Sequence, residues 1–237
     1  MHENISPLLL HIETSTNLCS VALSEGTNCL FSISNSDGNN HAKLLSLFIN
    51  EALQLLKPQS KTLDAVAVSS GPGSYTGLRI GVSTAKGLCY GYDIPLIALD
   101  TLEIMTVSAL KQTQNADNKP TTLFCPMIDA RRMEVYAAFF NADRTLYRAV
   151  SADIISENSY EEILEKHAVY FFGNGSDKCR PVITHKNALF IDDIVPLAEN
   201  MVDLAVQKFH QKQFEDTAYF EPFYLKEFQT TVPKVKV

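Results

Sequence analysis

Apolar positions in this chain come first as short runs and then at helical spacing, and the two patterns alternate along the first hundred residues. Leu8 to Glu13 is an apolar run closed by an acid, which predicts a buried strand. Leu18 to Ser24 alternates and reads as its hairpin partner across Thr14-Ser15-Thr16-Asn17, and Cys29 to Ser34, after Glu25-Gly26, reads as a third strand. Ser36-Asp37-Gly38-Asn39-Asn40 is a polar loop of residue types that cap helices. From His41 to Lys57, Leu45, Phe48, Ala52, Leu55 and Leu56 recur at helical spacing, and Pro58 ends the run. Ala65 to Val68 then predicts a buried strand, Val82 to Tyr90 the body of a helix, Pro95 to Leu99 a strand, and Thr101 onward a third helix.

Gln112 to Pro120 is polar and reads as a linker, after which the order repeats. Leu123 to Asp129, Glu134 to Phe140 and Thr145 to Val150 predict three strands, Ser159 to His167 a helix, and Ala168 to Phe172 a strand that ends at Gly173-Asn174-Gly175. An amphipathic helix is predicted from Pro196 to Phe209. Both halves therefore read β-β-β-α-β-α. The pattern predicts an α/β protein with the two-lobed, duplicated architecture of the actin and sugar-kinase superfold. An N-terminal lobe over 1–113 would carry a glycine-rich loop, and a C-terminal lobe over 114–237 would have related topology.

That loop, Gly71-Pro72-Gly73-Ser74-Tyr75-Thr76-Gly77-Leu78-Arg79-Ile80-Gly81, sits between a predicted strand and a predicted helix. Such a junction aims backbone N–H groups and a helix N-terminus at an anion or at another backbone. No Lys-Ser/Thr follows the glycines, and their spacing misses G-x-G-x-x-G, so neither common phosphate-loop motif is present. Gly77, Gly81 and Ala85 leave one side of the helix almost without side-chain bulk, so another backbone can approach there, from the same lobe or from a partner.

The chain has 237 residues, 46% of them apolar and 20% charged, the composition of an ordinary globular protein. The first residues lack the basic and apolar parts of a signal peptide and no run reaches the ~20 apolar residues of a membrane span, which predicts a cytoplasmic protein without membrane association. Five scattered cysteines predict reduced thiols, and six dispersed histidines give no helical metal pair, so no metal site is expected. The net charge of −7 argues against a protein that holds nucleic acid by itself.

Glu13 and Asp129 each close a strand just before a hairpin turn. In kinase-like members of this superfold, acids at that point hold a metal through water; the alternative is that each caps its own turn. Thr14 and Ser15, with Gly71, Gly73 and Ser74, are candidates to face an anion or nucleotide, and Arg79 is a candidate partner for a phosphate or a carboxylate. Thr76 is a candidate helix N-cap, and Arg131 is expected to pair with Glu134 across its turn. Ser70 or Ser74 as a nucleophile would need a base that no sequence feature supplies, so no catalytic residue is assigned.

Ile12-Glu13-Thr14-Ser15-Thr16 with Ser20-Val21-Ala22-Leu23, the glycine string from Gly71 to Gly81, Ile128-Asp129-Ala130-Arg131 with Glu134-Val135-Tyr136, and Pro222-Phe223-Tyr224-Leu225 closely resemble the TsaB family. The resemblance runs from near the N-terminus to about Lys226 and is densest in the first half. It implies the non-catalytic paralogue of TsaD in the bacterial machinery that places threonylcarbamoyl on N6 of the adenosine next to the anticodon. It also implies a heterodimer with TsaD, further assembly with the ATPase TsaE, and homodimers when TsaD is absent. ATP is used by that wider complex, no cofactor is assigned to this chain, and tRNA is met only indirectly. TsaD carries an H-x-x-x-H metal site; here His41 is followed by Ala42, Lys43, Leu44 and Leu45, so the second histidine is missing. The implied pairing surface uses the first two helices, with Leu44, Leu47, Gly77, Leu78, Gly81 and Ala85 as its expected residues. On that reading Gly81→Leu releases the partner and leaves stability unchanged. The competing classes are an autonomous ATP-binding phosphotransferase of the same superfold and a metallopeptidase, and fold alone does not choose among the three.

Overall fold

The computed structural model describes residues 6–36, 40–113 and 121–226. Two five-stranded mixed sheets carry the fold. The first holds β1 (Leu8–Glu13), β2 (Cys19–Glu25), β3 (Asn28–Asn35), β4 (Ala65–Gly71) and β5 (Leu96–Asp100) in the order β3-β2-β1-β4-β5. The second holds β6 (Leu123–Asp129), β7 (Glu134–Asn141), β8 (Leu146–Ile154), β9 (Val169–Phe172) and β10 (Ala188–Ile191) in the order β10-β9-β6-β7-β8. Read from the other end, the second order repeats the first. In each sheet three antiparallel strands lead into two parallel additions. The two sheets thus repeat one topology, and the second includes β10, which the hydrophobic pattern did not reveal.

Burial explains the patterns. β1 is central and covered on both faces, so all six of its residues are buried and apolar alternation is absent. β3 lies at an edge and alternates between half-buried and exposed. Helices α1 (His41–Gln54) and α2 (Tyr75–Tyr92) cover one face of the first sheet, where Leu45, Phe48, Ala52, Val82 and Ala85 pack with Leu10, Ile12, Val21 and Val66. Helix α3 (Thr101–Gln112) is buried round most of its circumference, Thr101 and Thr106 included, because it lies between the two sheets. Ile104 and Val107 meet the first sheet, while Leu102, Met105 and Ala109 meet Phe124, Phe140 and Phe172 of the second.

Several expected boundaries shift for identifiable reasons. Helix α1 stops at Gln54, and a 3-10 turn over Lys57–Gln59 takes up Pro58. Asn40 precedes it without a side-chain capping bond, and Asp37–Asn39 and Gln114–Pro120 of the two predicted loops lie outside the described residues. The helix expected over Ser159–His167 is the single turn α4 (Glu161–Leu164). Tyr160 takes a left-handed backbone (φ 66°) that sends its ring against Phe139 and Phe171 and its hydroxyl to Asp153, so the helix cannot begin earlier. The last helix is α5 (Val202–His210), entered through a 3-10 turn over Ala198–Met201.

α5 corrects the expected domain division. Met201, Leu204, Ala205 and Val206 pack on Leu9, Ala67, Ile97 and Leu99 of the first sheet, and the Ala198 N–H donates to Ser20 Oγ at 3.1 Å. Beyond α5, the Glu215 N–H donates to Leu96 O on the outer edge of β5. Residues 198 to about 224 therefore pack with the first lobe, and the second lobe is residues 121 to about 195.

Candidate functional site

The glycine string is built around the β1–β2 turn. Ser74, not Thr76, is the N-cap of α2: its Oγ accepts the Gly77 N–H at 3.2 Å. The Ser74 N–H donates to Ser15 O at 2.6 Å, and Thr14 Oγ1 donates to Gly77 O at 2.8 Å. A Cβ on Gly73 would stand 2.2 Å from Ser15 O, one on Gly77 2.1 Å from Thr14 O, and one on Gly81 2.2 Å from Thr14 Oγ1. No side chain larger than hydrogen fits at these three positions.

This packing uses the Ser74 and Gly77 N–H groups within the chain and sets backbone oxygens, Ser15 O and Phe223 O, against Gly73 and Gly71. It also decides which neighbour the smooth side of α2 accepts. Gly77, Leu78, Gly81 and Ala85 are all buried against their own lobe, so these four are not a partner surface. Leu44 is half-buried against the first core, and only Leu47, at 51% exposure, stands out as expected.

Glu13, Thr14 and Ser15 are fully buried. Glu13 Oε1 accepts the Ser15 N–H at 2.5 Å, which is the turn-capping alternative, while Glu13 Oε2 and Ser15 Oγ have no hydrogen-bond partner among the described residues. Burial pushes the Glu13 carboxyl up to about 7 from 4.5, against the pull of the Ser15 backbone N–H. The folded protein therefore keeps a proton that the unfolded chain releases above about pH 4.5, and stability from this group falls as pH rises through about 7. Glu13→Gln removes that fall. Its stability relative to wild type is expected to improve by up to roughly 3 kcal/mol between pH 4.5 and 7.5, read from urea unfolding at both pH values. Parallel pH curves for the two proteins would contradict this placement of the carboxyl. The buried His11 imidazole, held down at about 3 by desolvation, titrates alike in both and cancels from the difference.

Asp129 occupies the matching place in the second lobe but is exposed. Its Oδ1 accepts the Arg131 N–H at 3.0 Å, again a turn cap, and it pairs with the Lys178 ammonium, which also donates to Glu134 O. Arg131 does not pair with Glu134 as expected. Lys226 takes that role from far along the chain, and Arg131 has a left-handed backbone (φ 72°).

The segment 214–226 is a strap that spacing alone did not reveal. Lys86 Nζ holds Ala218 O at 3.1 Å and Phe220 O at 3.0 Å, and the Phe223 N–H donates to Ser70 O at 2.8 Å. Phe223 O stands where a Cβ of Gly71 would be, Tyr224 lies 4.8 Å from the Tyr75 ring, and Lys226 reaches Glu134. It starts beside Leu96 at the amino end of β5 and reaches the carboxyl end of β4 at Ser70 and Gly71, the end of the sheet where open α/β folds take ligands. Ser70 Oγ donates to Leu99 O at 3.0 Å and Ser74 Oγ is the cap already described. The Arg79 guanidinium donates to Tyr75 OH at 2.7 Å and lies over that ring.

The open side of α2 is the opposite one. Gly87 and Gly91 have nothing within 4 Å of where a Cβ would sit, and Ser83, one turn before Gly87, is exposed. Beside them an open groove of about 560 Å3 is lined by Ala42 of α1 and by Tyr75, Thr76, Arg79, Ile80, Ser83 and Thr84 of α2. Leu47 of α1, Leu55 just past its end, and Tyr90 (88% exposed) and Tyr92 of α2 are exposed as well. The signal was present in the sequence as a second small-residue stripe at Ser83, Gly87 and Gly91, about half a turn from the first. Among the described residues no group of three His, Cys, Asp or Glu side chains lies together as a metal-ligand set.

Residues 33–234 match the family described as TsaD: tRNA N6-adenosine threonylcarbamoyltransferase. The chain is 31% identical over 232 residues to the tRNA threonylcarbamoyladenosine biosynthesis protein TsaB of Haemophilus influenzae, covering 92% of this chain and 93% of that protein. It is 27% identical over 226 residues to TsaB of Escherichia coli, covering 92% and 94%. Among solved structures, YeaZ from Pseudomonas aeruginosa superposes with a TM-score of 0.76 at 24% identity, over 92% of this chain and all of that one.

Proposed function

The chain belongs to the TsaB family of tRNA threonylcarbamoyladenosine biosynthesis proteins, and from that membership we propose that it is the non-catalytic helper that pairs with a TsaD-type subunit. The observation that carries the proposal is the filled crevice. The turn at Thr14–Ser15 sits on the glycine string and the strap at Phe223 covers Ser70 and Gly71. A phosphotransferase needs that space for nucleotide, so the occupied crevice favours the helper over the autonomous kinase reading. The pairing surface assigned here is the open side of α2 with α1: Leu47, Ser83, Gly87, Tyr90 and the groove between the helices. Small residues at its centre let helices of the partner approach closely, and the exposed Leu47 and Tyr90 supply apolar area at its margin. The same face serves homodimers in the absence of the partner, and a TsaE-type ATPase joins the pair.

The test is reconstitution. The chain and a TsaD-type subunit, each alone and then together with the remaining pathway proteins and ATP, are assayed for threonylcarbamoyl transfer to tRNA. Transfer is expected only when both subunits are present. Transfer by this chain without the other would overturn the helper reading.

A further inference from the structure

The two helices of the assigned pairing face are basic in an acidic chain. α2 has no acidic residue between Tyr75 and Tyr92 and carries Arg79 and Lys86, while α1 carries Lys43 against Glu51. The chain as a whole has a net charge of −7, so its excess of acids lies elsewhere. Lys86 is engaged, because its ammonium holds Ala218 O and Phe220 O of the strap. Arg79 is placed differently. It is exposed, it is the one charged side chain lining the groove among the described residues, and it makes no ion pair with any of them. Arg79, Ser83, Gly87 and Gly91 recur every four residues and form one ridge of α2, so the guanidinium stands at the end of the open small-residue stripe.

That guanidinium is held in place. One of its N–H groups donates to Tyr75 OH at 2.7 Å, and its carbon lies 5.3 Å from the Tyr75 ring centroid. The Tyr75 ring is half-buried and packs on Tyr224 at 4.8 Å, with the rings inclined by 38°. Tyr224 is fixed from both sides along the strap, by the Phe223 N–H on Ser70 O and by the pair of Lys226 with Glu134. The strap therefore ends as a brace behind Arg79, acting through two stacked rings. A long side chain fixed in advance loses less rotamer freedom when it binds. A guanidinium presents its N–H donors as a planar fork that matches a carboxylate. Arginines of this kind, at the edge of a close-packed contact, are frequent anchors of protein interfaces.

We infer that Arg79 determines the specificity of the pairing face by taking a carboxylate on a helix of the TsaD-type subunit, with Tyr75 and Tyr224 as its positioning residues. The inference rests on the proposed pairing and deepens it, because it names the chemistry the partner must bring: small residues to enter the stripe and an acid where the stripe ends at Arg79. The same charges choose between partners. Two copies of this face would bring cations together, whereas an acidic helix is drawn to it, so Arg79 favours the heterologous pair over a second copy. It also gives the strap a task beyond covering Ser70 and Gly71.

The test titrates the full chain with a TsaD-type subunit, without nucleotide, from about 50 to about 500 mM salt, a range over which screening of an ion pair rises steeply. Arg79→Gln is expected to weaken pairing about thirtyfold at low salt, to flatten the fall of affinity with salt, and to melt as wild type does. Arg79→Lys keeps the charge without the fork, so it is expected to retain the salt dependence and to recover only part of the affinity. Tyr224→Leu is expected to weaken pairing about fivefold through loss of the brace, and Tyr224→Phe, which keeps the ring, to pair as wild type does. Pairing of Arg79→Gln within threefold of wild type overturns the inference, and so does weaker pairing with the salt dependence intact, which would make Arg79 a packing residue. Self-association of the chain, read by sedimentation, is expected to be no weaker in Arg79→Gln; weaker self-association places the acid on a second copy and overturns it. An effect of Arg79→Gln that appears only when nucleotide is added assigns the anion to a phosphate and overturns it as well. A wild-type chain that does not pair removes the helper reading itself, whereas pairing that Gly87→Arg abolishes and Arg79→Gln spares removes this inference alone.

Discussion

Gly77→Ala is expected to destabilise the protein by at least about 3 kcal/mol, and by more than any surface substitution on the same helix. The added Cβ would lie 2.1 Å from Thr14 O, a backbone atom of the turn that leaves the central strand. Neither side can yield by rotating a side chain. Relief requires α2 to move off β1, which gives up the bond from Thr14 Oγ1 to Gly77 O and the one from the Ser74 N–H to Ser15 O. It also opens the core where Val82 and Ala85 meet Ile12 and Val68. For a protein of this size the melting temperature should fall by roughly 10 °C. Gly91→Ala is the control on the same helix. Nothing lies within 4 Å of its Cβ position, so the change should be neutral or slightly stabilising through helix propensity. Equal melting temperatures for the two variants would sink the packing account. Gly81→Leu belongs with Gly77→Ala: with Thr14 Oγ1 2.2 Å from the new Cβ, it costs stability, contrary to the expectation drawn from the family resemblance that it only releases a partner.

Gly87→Arg is expected to abolish pairing with a TsaD-type subunit, weakening it by a hundredfold or more, while the isolated chain melts as wild type does. Position 87 faces open space, so the monomer accommodates a long side chain without strain. In a helix-to-helix interface the same side chain holds the backbones apart and places a desolvated charge without a partner, both large costs at an interface centre. Leu47→Asp is expected to act in the same direction and more mildly, since Leu47 sits toward the margin at 51% exposure. Co-purification and titration of the two subunits read the effect. Pairing within threefold of wild type for Gly87→Arg would remove the open stripe of α2 from the interface, whatever its effect on tRNA modification.

The two variants differ because one helix has two smooth sides. Glycine spacing in the sequence marks both stripes, Gly77-Gly81-Ala85 and Ser83-Gly87-Gly91, and only the position of β1 tells which is already occupied. The acids follow the same logic. That Glu13 and Asp129 end strands before hairpins was legible, as was the choice between holding a metal and capping a turn. The structure shows both capping, but one is sealed beneath the turn and the other is paired at the surface with Lys178.

The sequence by itself determined the succession of strands and helices, the repeat of one topology in two halves, and the family resemblance carried by the glycine string. These are written in contiguous residues, because a strand's burial and a helix's period are set by neighbours one to four positions away. Only the tertiary structure decided which lobe owns α5, what fills the crevice, and which face of α2 is free. The deciding contacts join residues far apart in the chain: Thr14 to Gly77 across 63 positions, Lys226 to Glu134 across 92, and Ala198 to Ser20 across 178. No periodicity records such pairs. They arise when buried donors and acceptors must find partners in a packed interior, and that requirement is met only once the whole chain has folded.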